Sequence, residues 1–529
     1  MAASSVETAA PARRRARREC YADPGNNKTS MQNGTRLAAV DLGSNSYRLE
    51  IGHLDHGQIH RTEYLKETVR QGNGLDDERN LTPEAMQRGW DCLARFGERL
   101  AGFKRHHVRA VATQTLREAR NRAEFLGRAQ QILGFPIDVI SGREEARLIY
   151  QGVAHSLPQS SERRLVVDIG GRSTELILGQ EFEPRVMESY RVGSVAWSMR
   201  YFPDAQFTPD AFRTAEIAAK AVLDEALNSY RPSDWDVAYG ASGTIGAVAD
   251  MLGFAGEAPG VVSRDGLDWL LDRLLKARRA SNLVLDGLKE DRRPVIGGGL
   301  AVLRAVFDLL DIDEMRVAEG ALRQGALYDL LDREHLQTDM RATTVQRLCR
   351  KFGVEAAQAT RVSRVACSLF RQMVEGLSES QAARLERKVD WAARLHEIGT
   401  QISHSDYHKH GAYILDNSDA PGFSLSELHR LGQLVLGHRG KLAKLEIDFN
   451  DVTFVQQLLS LRLAVLLCHA RRDPNLQELV VACNLNSPRR VCISVRDGWA
   501  EAWPQSAHLL REEVKAWQRT PWALQVLNI

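Results

Sequence analysis

From residue 36 onward, short stretches of the chain either alternate apolar with polar residues or run apolar without a break, and each closes on glycine, serine or aspartate. Successive strand positions point to opposite faces, so such stretches are read as strands. Leu165 to Leu178, LVVDIGGRSTELIL, is the clearest: an apolar run ends in an aspartate, a glycine pair and hydroxyls make a tight turn, and a second apolar run leads away. It predicts a hairpin. Arg36 to Ile51 predicts another, and Gln58 to Thr68 adds a strand to its sheet. Val108–Ala112, Phe135–Ile140, Asp236–Tyr239 and Met315–Ala318 read as short buried strands, each leading towards a helix. One helix starts at Thr82-Pro83-Glu84, threonine as cap and proline at the first helical position, with Met86, Leu93, Phe96 and Leu100 on its apolar face. Ser141 followed by Glu144 fits a capping box, and Pro209–Leu227 reads as a helix. From about Ala342 the period changes: Val345, Leu348, Phe352, Val362, Val365, Leu369 and Phe370 suit amphipathic helices packed on one another. Leu479 to Val495 returns to strand-like alternation.

The two hairpins carry the chemistry. Glycines let backbone N–H groups approach an anion, hydroxyls add donors, and the turn brings Glu175 back towards Asp168, so two carboxylates face one phosphate. At an effective dielectric of 20, like charges about 4 Å apart repel by roughly 4 kcal/mol, which calls for a divalent cation. Mg²⁺ is the expected one, with K⁺ a further candidate. Asp41 to Gly52, DLGSNSYRLEIG, aligns without gaps on Asp168 to Gly179, DIGGRSTELILG, which implies an internal duplication. Two half-domains would then face each other across a cleft. Beyond the strand at Val108–Ala112 stand Thr113 to Arg122, whose arginines suit either phosphate oxygens or a solvated helix start. Glu145 lies in the first turn of a helix, placed for a base or simply for the dipole. Gly240–Ile245 is a glycine and hydroxyl turn that either cradles an anion or serves packing.

Composition narrows the classes. The chain of 529 residues is long enough for three or four domains, and 43% hydrophobic with 26% charged is ordinary for a globular protein. No apolar stretch reaches the roughly 20 residues needed to span a bilayer, and Met1 to Ser30 lacks the apolar run of a secretory signal. A cytoplasmic protein is expected, at most peripheral on the inner membrane face. Seven cysteines without C-x-x-C spacing argue against a disulfide scaffold or a cysteine zinc site. A formal net charge of +2 gives no ground for a nucleic-acid partner. Residues 1–35, with basic residues at Arg13–Arg15 and Arg17–Arg18, read as a disordered arm.

DLGSNSYRL, TQTLREARN, SGREEARLIY, VVDIGGRSTEL, GASGTIGAVADML and EGALRQGALYDLL, in this order, resemble the exopolyphosphatase and guanosine pentaphosphate phosphatase (Ppx/GppA) family. Blocks from Ala392 to Lys441 are similar to the helical domain of its long members. The resemblance implies α/β architecture: duplicated ribonuclease H-like domains of the actin-like, sugar-kinase-like ATPase superfamily, then an all-α HD-like domain and a small C-terminal α+β domain. The expected boundaries are 36–149, 150–334, 335–475 and 476–529. It further implies that Glu145 activates water, that Glu175 works with it and with the metal, and that Asp168 is a metal-side carboxylate. Arg117 becomes a phosphate-chain contact, and Gly43, Ser44, Asn45, Gly170, Gly171 and Ser173 the two phosphate loops, with Gly243 in a further cradle.

Two departures stand out. Arg172 occupies the place of the usual third glycine of the central loop and is expected to point to solvent. Glu397 stands where the HD pattern has aspartate, beside His396 and a cluster of His404, His408, His410 and His438, so a degenerate, metal-free copy is expected. The leading functional expectation is an exopolyphosphatase that removes terminal phosphate from inorganic polyphosphate, because a long helical region suits a polymer and basic pieces at His438–Lys441 and Arg471–Arg472 suit its path. The alternative is the 5′-phosphate of guanosine pentaphosphate. A superfamily kinase and a non-catalytic polyphosphate or alarmone sensor are remote alternatives, and a homodimer is expected.

Overall fold

The computed structural model describes residues 31–334, 338–374, 376–442, 445–486 and 489–529; most of the expected N-terminal arm lies outside them. The first sheet is built from β1 (Arg36–Leu42), β2 (Tyr47–Asp55), β3 (Gln58–Glu67), β4 (Val108–Ala112) and β5 (Ile137–Val139), in the order β3-β2-β1-β4-β5. Helices α1 (Pro83–Arg99), α2 (Gln114–Glu118), α3 (Arg122–Leu133) and α4 (Gly142–Ser156) follow its strands. The second sheet contains β6 (Arg163–Ile169), β7 (Thr174–Gln180), β8 (Glu183–Tyr190), β9 (Val237–Gly240), β10 (Val261–Ser263) and β11 (Glu314–Val317), in the order β10-β11-β9-β6-β7-β8. Setting aside β10, the second order repeats the first strand for strand. The pairings repeat as well: antiparallel at β1/β2 and β6/β7, parallel at β1/β4 and β6/β9. The duplication read from twelve aligned residues therefore extends over whole lobes.

Between the sheets lie α4 and α10 (Leu322–Glu334), after α5 (Ser194–Tyr201), α6 (Pro209–Leu223), α7 (Gly243–Phe254), α8 (Arg264–Ala277) and α9 (Ile296–Leu310). Strand alternation decides what each side covers. Ala38, Val40 and Leu42 face the core that α1 and α3 cover, whereas Leu37 and Ala39 meet Ala326, Leu327 and Leu330 of α10. On β6, Leu165, Val167 and Ile169 face the α5–α9 side, and Val166 meets Ile149, Tyr150 and Val153 of α4. The helices thus cross over: α4 leaves the first lobe to pack on the second sheet, and α10 leaves the second to pack on the first. Their close crossing needs glycine, since a Cβ at Gly325 would overlap the carbonyl oxygen of Leu148 and one at Gly152 that of Ala321. α4 runs unbroken through residues 149 and 150, so the expected domain boundary cuts through it.

Six helices follow: α11 (Met340–Lys351), α12 (Ala356–Met373), α13 (Glu379–Leu395), α14 (Tyr407–Asp416), α15 (Leu425–Gly437) and α16 (Val452–Leu467). A terminal sheet of β12 (Leu479–Asn484), β13 (Arg489–Val495) and β14 (Trp522–Leu527), with α17 (Trp499–Ala502) and α18 (Pro504–Trp517), shares one apolar core with them. Buried ion pairs knit α4 and α10 into a helical hub, and a backbone contact joins that hub to this region. Asp329 accepts from Arg147 Nη2 at 2.5 Å and Arg333 Nε at 2.6 Å. Glu144 accepts from Arg147 Nε at 2.8 Å and from the backbone N–H of Gly422 at 2.6 Å. The expected capping box is therefore only half formed: Ser141 Oγ accepts from Glu144 N at 3.2 Å, but the Glu144 side chain reaches across to the helical region instead of back to its cap. Among the described residues, no helix is long and apolar enough to cross a membrane.

Candidate active site

The turns after β1 and β6 face each other across a cleft of about 450 Å³. Gly43, Ser44, Asn45, Gly170, Gly171, Ser173 and Gly243 line it, together with Glu145 and Asp168. The loops approach so closely that a Cβ at Gly171 would sit 3.1 Å from Ser44 Cβ. A side chain there would require Ser44 to give way by a few tenths of an ångström, so glycine suits the close approach. The turn is anchored from behind: Ser194 N donates to Gly170 O at 3.0 Å, and Val195 N to Gly171 O at 2.9 Å. On the third wall Ser242 caps α7, accepting from Thr244 N at 3.2 Å and Ile245 N at 3.1 Å.

Register explains how the carboxylates meet. Asp168 pairs directly with Glu175 across β6/β7, and the equivalent pair across β1/β2 is Asp41 with Arg48. One lobe presents two carboxylates, the other a carboxylate and a guanidinium. Arg48 Nη1 lies 3.4 Å from Asp41 Oδ2. Glu175 is buried beneath the cleft and does not line it, with Ser189 Oγ donating to its Oε1 at 2.7 Å. Its carboxyl is held well above the usual carboxylate range by burial first, then by Glu145 and Asp168. Asp168 is pushed up to about 7 by burial, with Glu145 and Asp41 adding to it and Arg48 and Arg323 opposing. Burial also raises Glu145, while Arg117 pulls it back.

Arg117 is not on the cleft lining. Its Nη1 donates to Glu145 Oε2 at 2.8 Å and to Ile140 O at 2.8 Å, so it holds the carboxylate expected to act as base. Arg172, expected in solvent, instead bridges the lobes: Nη1 donates to Gly72 O at 3.1 Å and Nε to Glu118 Oε2 at 3.3 Å.

Sequence reasoning missed most of the positive wall. Arg48, Lys66, Lys289, Arg292 and Arg323 all line the cleft. The Arg292 guanidinium lies where a Cβ on Gly243 would be, against the start of α7, and forms no hydrogen bond or ion pair among the described residues. Burial and the neighbouring Arg48 lower its pKa. A cation set beside another cation and a helix N-terminus makes a place that favours an anion. The duplication held one clue, since Arg48 aligns with Glu175; Lys289–Arg293 is a charge cluster whose position only the fold reveals.

The donors for a cation are all oxygens, from crowded carboxylates that each raise another's pKa. No group of three or more His, Cys, Asp or Glu side chains among the described residues is arranged as a ready-made metal site. Oxygen donors without a full cage fit Mg²⁺, which is usually held by one or two carboxylates together with substrate phosphates and water.

In the helical region His396 and His438 have ring centroids 5.5 Å apart, and His408 lies 6.2 Å from His438. Burial lowers the pKa of both His396 and His438. Glu397 is paired with Arg471 at 3.0 Å. The basic pieces expected to form a polymer path are partly occupied too: His438 is buried, and Arg471 also pairs with Glu355.

Residues 51–334 match the Ppx/GppA phosphatase family, and residues 340–515 match Ppx/GppA phosphatase, domain III. A Vibrio atlanticus protein named guanosine-5′-triphosphate,3′-diphosphate pyrophosphatase is 42% identical over 445 residues, covering 83% of this chain and 88% of its own. The protein of that name from Vibrio parahaemolyticus is 38% identical over 494 residues, covering 92% and 97%. The crystal structure of an exopolyphosphatase from Cytophaga hutchinsonii superposes with a TM-score of 0.51 at 25% identity, covering 56% of this chain and 98% of that one. The duplicated lobes are the actin-like fold that the six motifs led us to expect, and the activity class is hydrolysis of phosphoric anhydrides. Motifs, repeated sheet order and matches over both halves converge: the chain belongs to the Ppx/GppA phosphatase family.

Proposed function

We propose that this enzyme hydrolyses the terminal 5′-phosphate of guanosine pentaphosphate, releasing orthophosphate and guanosine tetraphosphate. The expectation drawn from the sequence ranked inorganic polyphosphate first; the names of relatives 38–42% identical over most of the chain reverse that order. The observation that carries the reading is the Arg292 guanidinium, without a hydrogen bond or ion pair among the described residues, on a wall of the cleft that also holds the paired turns. A substrate with anionic groups at two places on one molecule satisfies both walls. Polyphosphate is a second substrate on the same geometry, favoured by the exopolyphosphatase whose structure the lobes resemble.

Attack of water on a terminal phosphoryl group needs an in-line nucleophile, a base and positive charge on the transferring oxygens. Glu145 is the base: burial raises its proton affinity, and Arg117 keeps it oriented and charged. The N–H groups of the two turns and the start of α7 receive phosphate oxygens. Arg117, which the resemblance made a phosphate contact, lies behind Glu145 and off the cleft lining, and its part here is to orient that carboxylate. The family is metal-dependent; Asp168, on the cleft lining, would hold Mg²⁺ with Glu175 buried behind it as a supporting carboxylate, and the ion would supply charge neutralisation on the phosphate chain, with K⁺ a further candidate. Retention of the base and both metal-side carboxylates fits a hydrolase better than a sensor. We place the enzyme in the cytoplasm as a homodimer.

Hydrolysis in ¹⁸O-labelled water tests the reaction. The reading expects one ¹⁸O in orthophosphate and none in the nucleotide; release of pyrophosphate, or label in the nucleotide, overturns it.

A further inference from the structure

Arg172 stands where the family pattern has glycine, yet its backbone is not among those in the left-handed region, so the position tolerates a side chain without strain. What the side chain does is join the lobes. Nη1 reaches Gly72 O at 3.1 Å, while Nε and Nη2 lie 3.3 and 3.2 Å from Glu118 Oε2. The other Glu118 oxygen accepts from Gln114 Nε2 at 2.7 Å. Gln114 Oε1 accepts from Arg117 Nε at 3.1 Å, and Arg117 Nη1 donates to Glu145 Oε2 at 2.8 Å. An unbroken chain of side chains therefore runs from the phosphate turn of one lobe, through α2, to the carboxylate assigned as base.

The chain has a direction imposed by chemistry. An ionised carboxylate only accepts, so Glu118 turns the Gln114 amide with its NH₂ towards itself and its oxygen towards Arg117, a group that only donates. Gly72 also binds the first phosphate turn, its N–H donating to Ser44 O at 2.8 Å, and Thr115 Oγ1 donates to Ser44 Oγ at 2.8 Å. Arg172 consequently contacts both the scaffold of the opposite turn and the polar chain that orients the base.

We propose that Arg172 is a positioning residue: a latch between the lobes that fixes Glu118, and through Gln114 and Arg117 sets the orientation of Glu145 while holding the two phosphate turns together. This rests on the reading of Glu145 as base. Without the guanidinium, Glu118 loses its cross-lobe partner, the Gln114 amide loses its fixed orientation, and Arg117 keeps only the Ile140 carbonyl to hold it against Glu145.

The test compares wild type with Arg172→Gly, Arg172→Lys, Glu118→Gln and the Arg172→Gly/Glu118→Gln double variant, by steady-state phosphate release from guanosine pentaphosphate with Mg²⁺ and by amide hydrogen exchange. Misplacing a base costs kcat more than binding. Arg172→Gly is expected to lower kcat about tenfold with KM changed less than about threefold, Glu118→Gln to do the same, and the double variant to be no worse than either single one, because they act through one chain. Arg172→Lys recovers part of kcat, and exchange accelerates at Gly72 and over residues 113–118 in Arg172→Gly. A kcat for Arg172→Gly within about twofold of wild type, or losses that multiply in the double variant, overturns the latch. If the wild type releases no phosphate, the assignment of the reaction falls, and unchanged exchange in Arg172→Gly would then reject the latch independently.

Discussion

Glu145 is held between opposing influences: burial favours its protonated form, and the Arg117 guanidinium favours the carboxylate. A base must be ionised to act, so a raised pKa gives an acid limb in the kcat/KM profile above the ordinary glutamate value of about 4.3. Replacing Glu145 with glutamine is expected to reduce kcat by a factor on the order of 10² to 10⁴ and to erase that limb; a pH–rate profile with the limb intact would assign it elsewhere. Asp168, pushed up to about 7, makes a second prediction. A cation must displace the proton, so apparent Mg²⁺ affinity falls as pH drops through that region, and calorimetry in buffers of different ionisation enthalpy should detect proton release on binding. Arg292, whose guanidinium makes no hydrogen bond or ion pair among the described residues, should contribute as a charge-assisted contact of about 1.5–3 kcal/mol. Arg292→Ala is therefore expected to lower kcat/KM by roughly 10- to 100-fold, chiefly through KM, without loss of melting temperature.

At the scale of elements, what the sequence makes legible is what local periodicity and turn chemistry control. The hairpin at Leu165–Leu178 forms with Asp168 opposite Glu175, and Thr82 caps α1 with Pro83 at its first position. Contacts between distant elements are not encoded locally. Glu144 has every local feature of a capping glutamate, but burial against α10 and the Gly422 loop offers stronger partners, and Arg172 finds Glu118 only because the lobes close. The positive wall of the cleft, from β2, β3, the residues before α9, and α10, is hidden for the same reason, apart from the clue that Arg48 aligns with Glu175. The hub makes its own prediction. Burial would raise the Asp329 carboxyl, but Arg333, Arg147 and Arg109 prevail and hold it well below the usual range. Its stabilisation is therefore complete above an unfolded-state pKa of about 3.9 and fades as pH falls below that. Asp329→Asn leaves buried guanidinium groups short of a partner, a loss of about 3–5 kcal/mol near neutrality. The difference in denaturation midpoint between wild type and this variant should shrink as pH is lowered from about 5 towards 3; a difference independent of pH would contradict the charge argument.

At the scale of the whole molecule, two lobes built on one plan hold their glycine turns face to face, and crossed helices tie them to a helical region that shares its core with the terminal sheet. The most direct measurement is the initial rate of phosphate release from guanosine pentaphosphate and from long-chain polyphosphate, at matched concentrations of ends, with Mg²⁺ and with EDTA. The account predicts faster, Mg²⁺-dependent release from the nucleotide. Faster release from the polymer would contradict it and return the helical region to the role of a polymer track, and release unaffected by EDTA would remove the metal from the carboxylate pair.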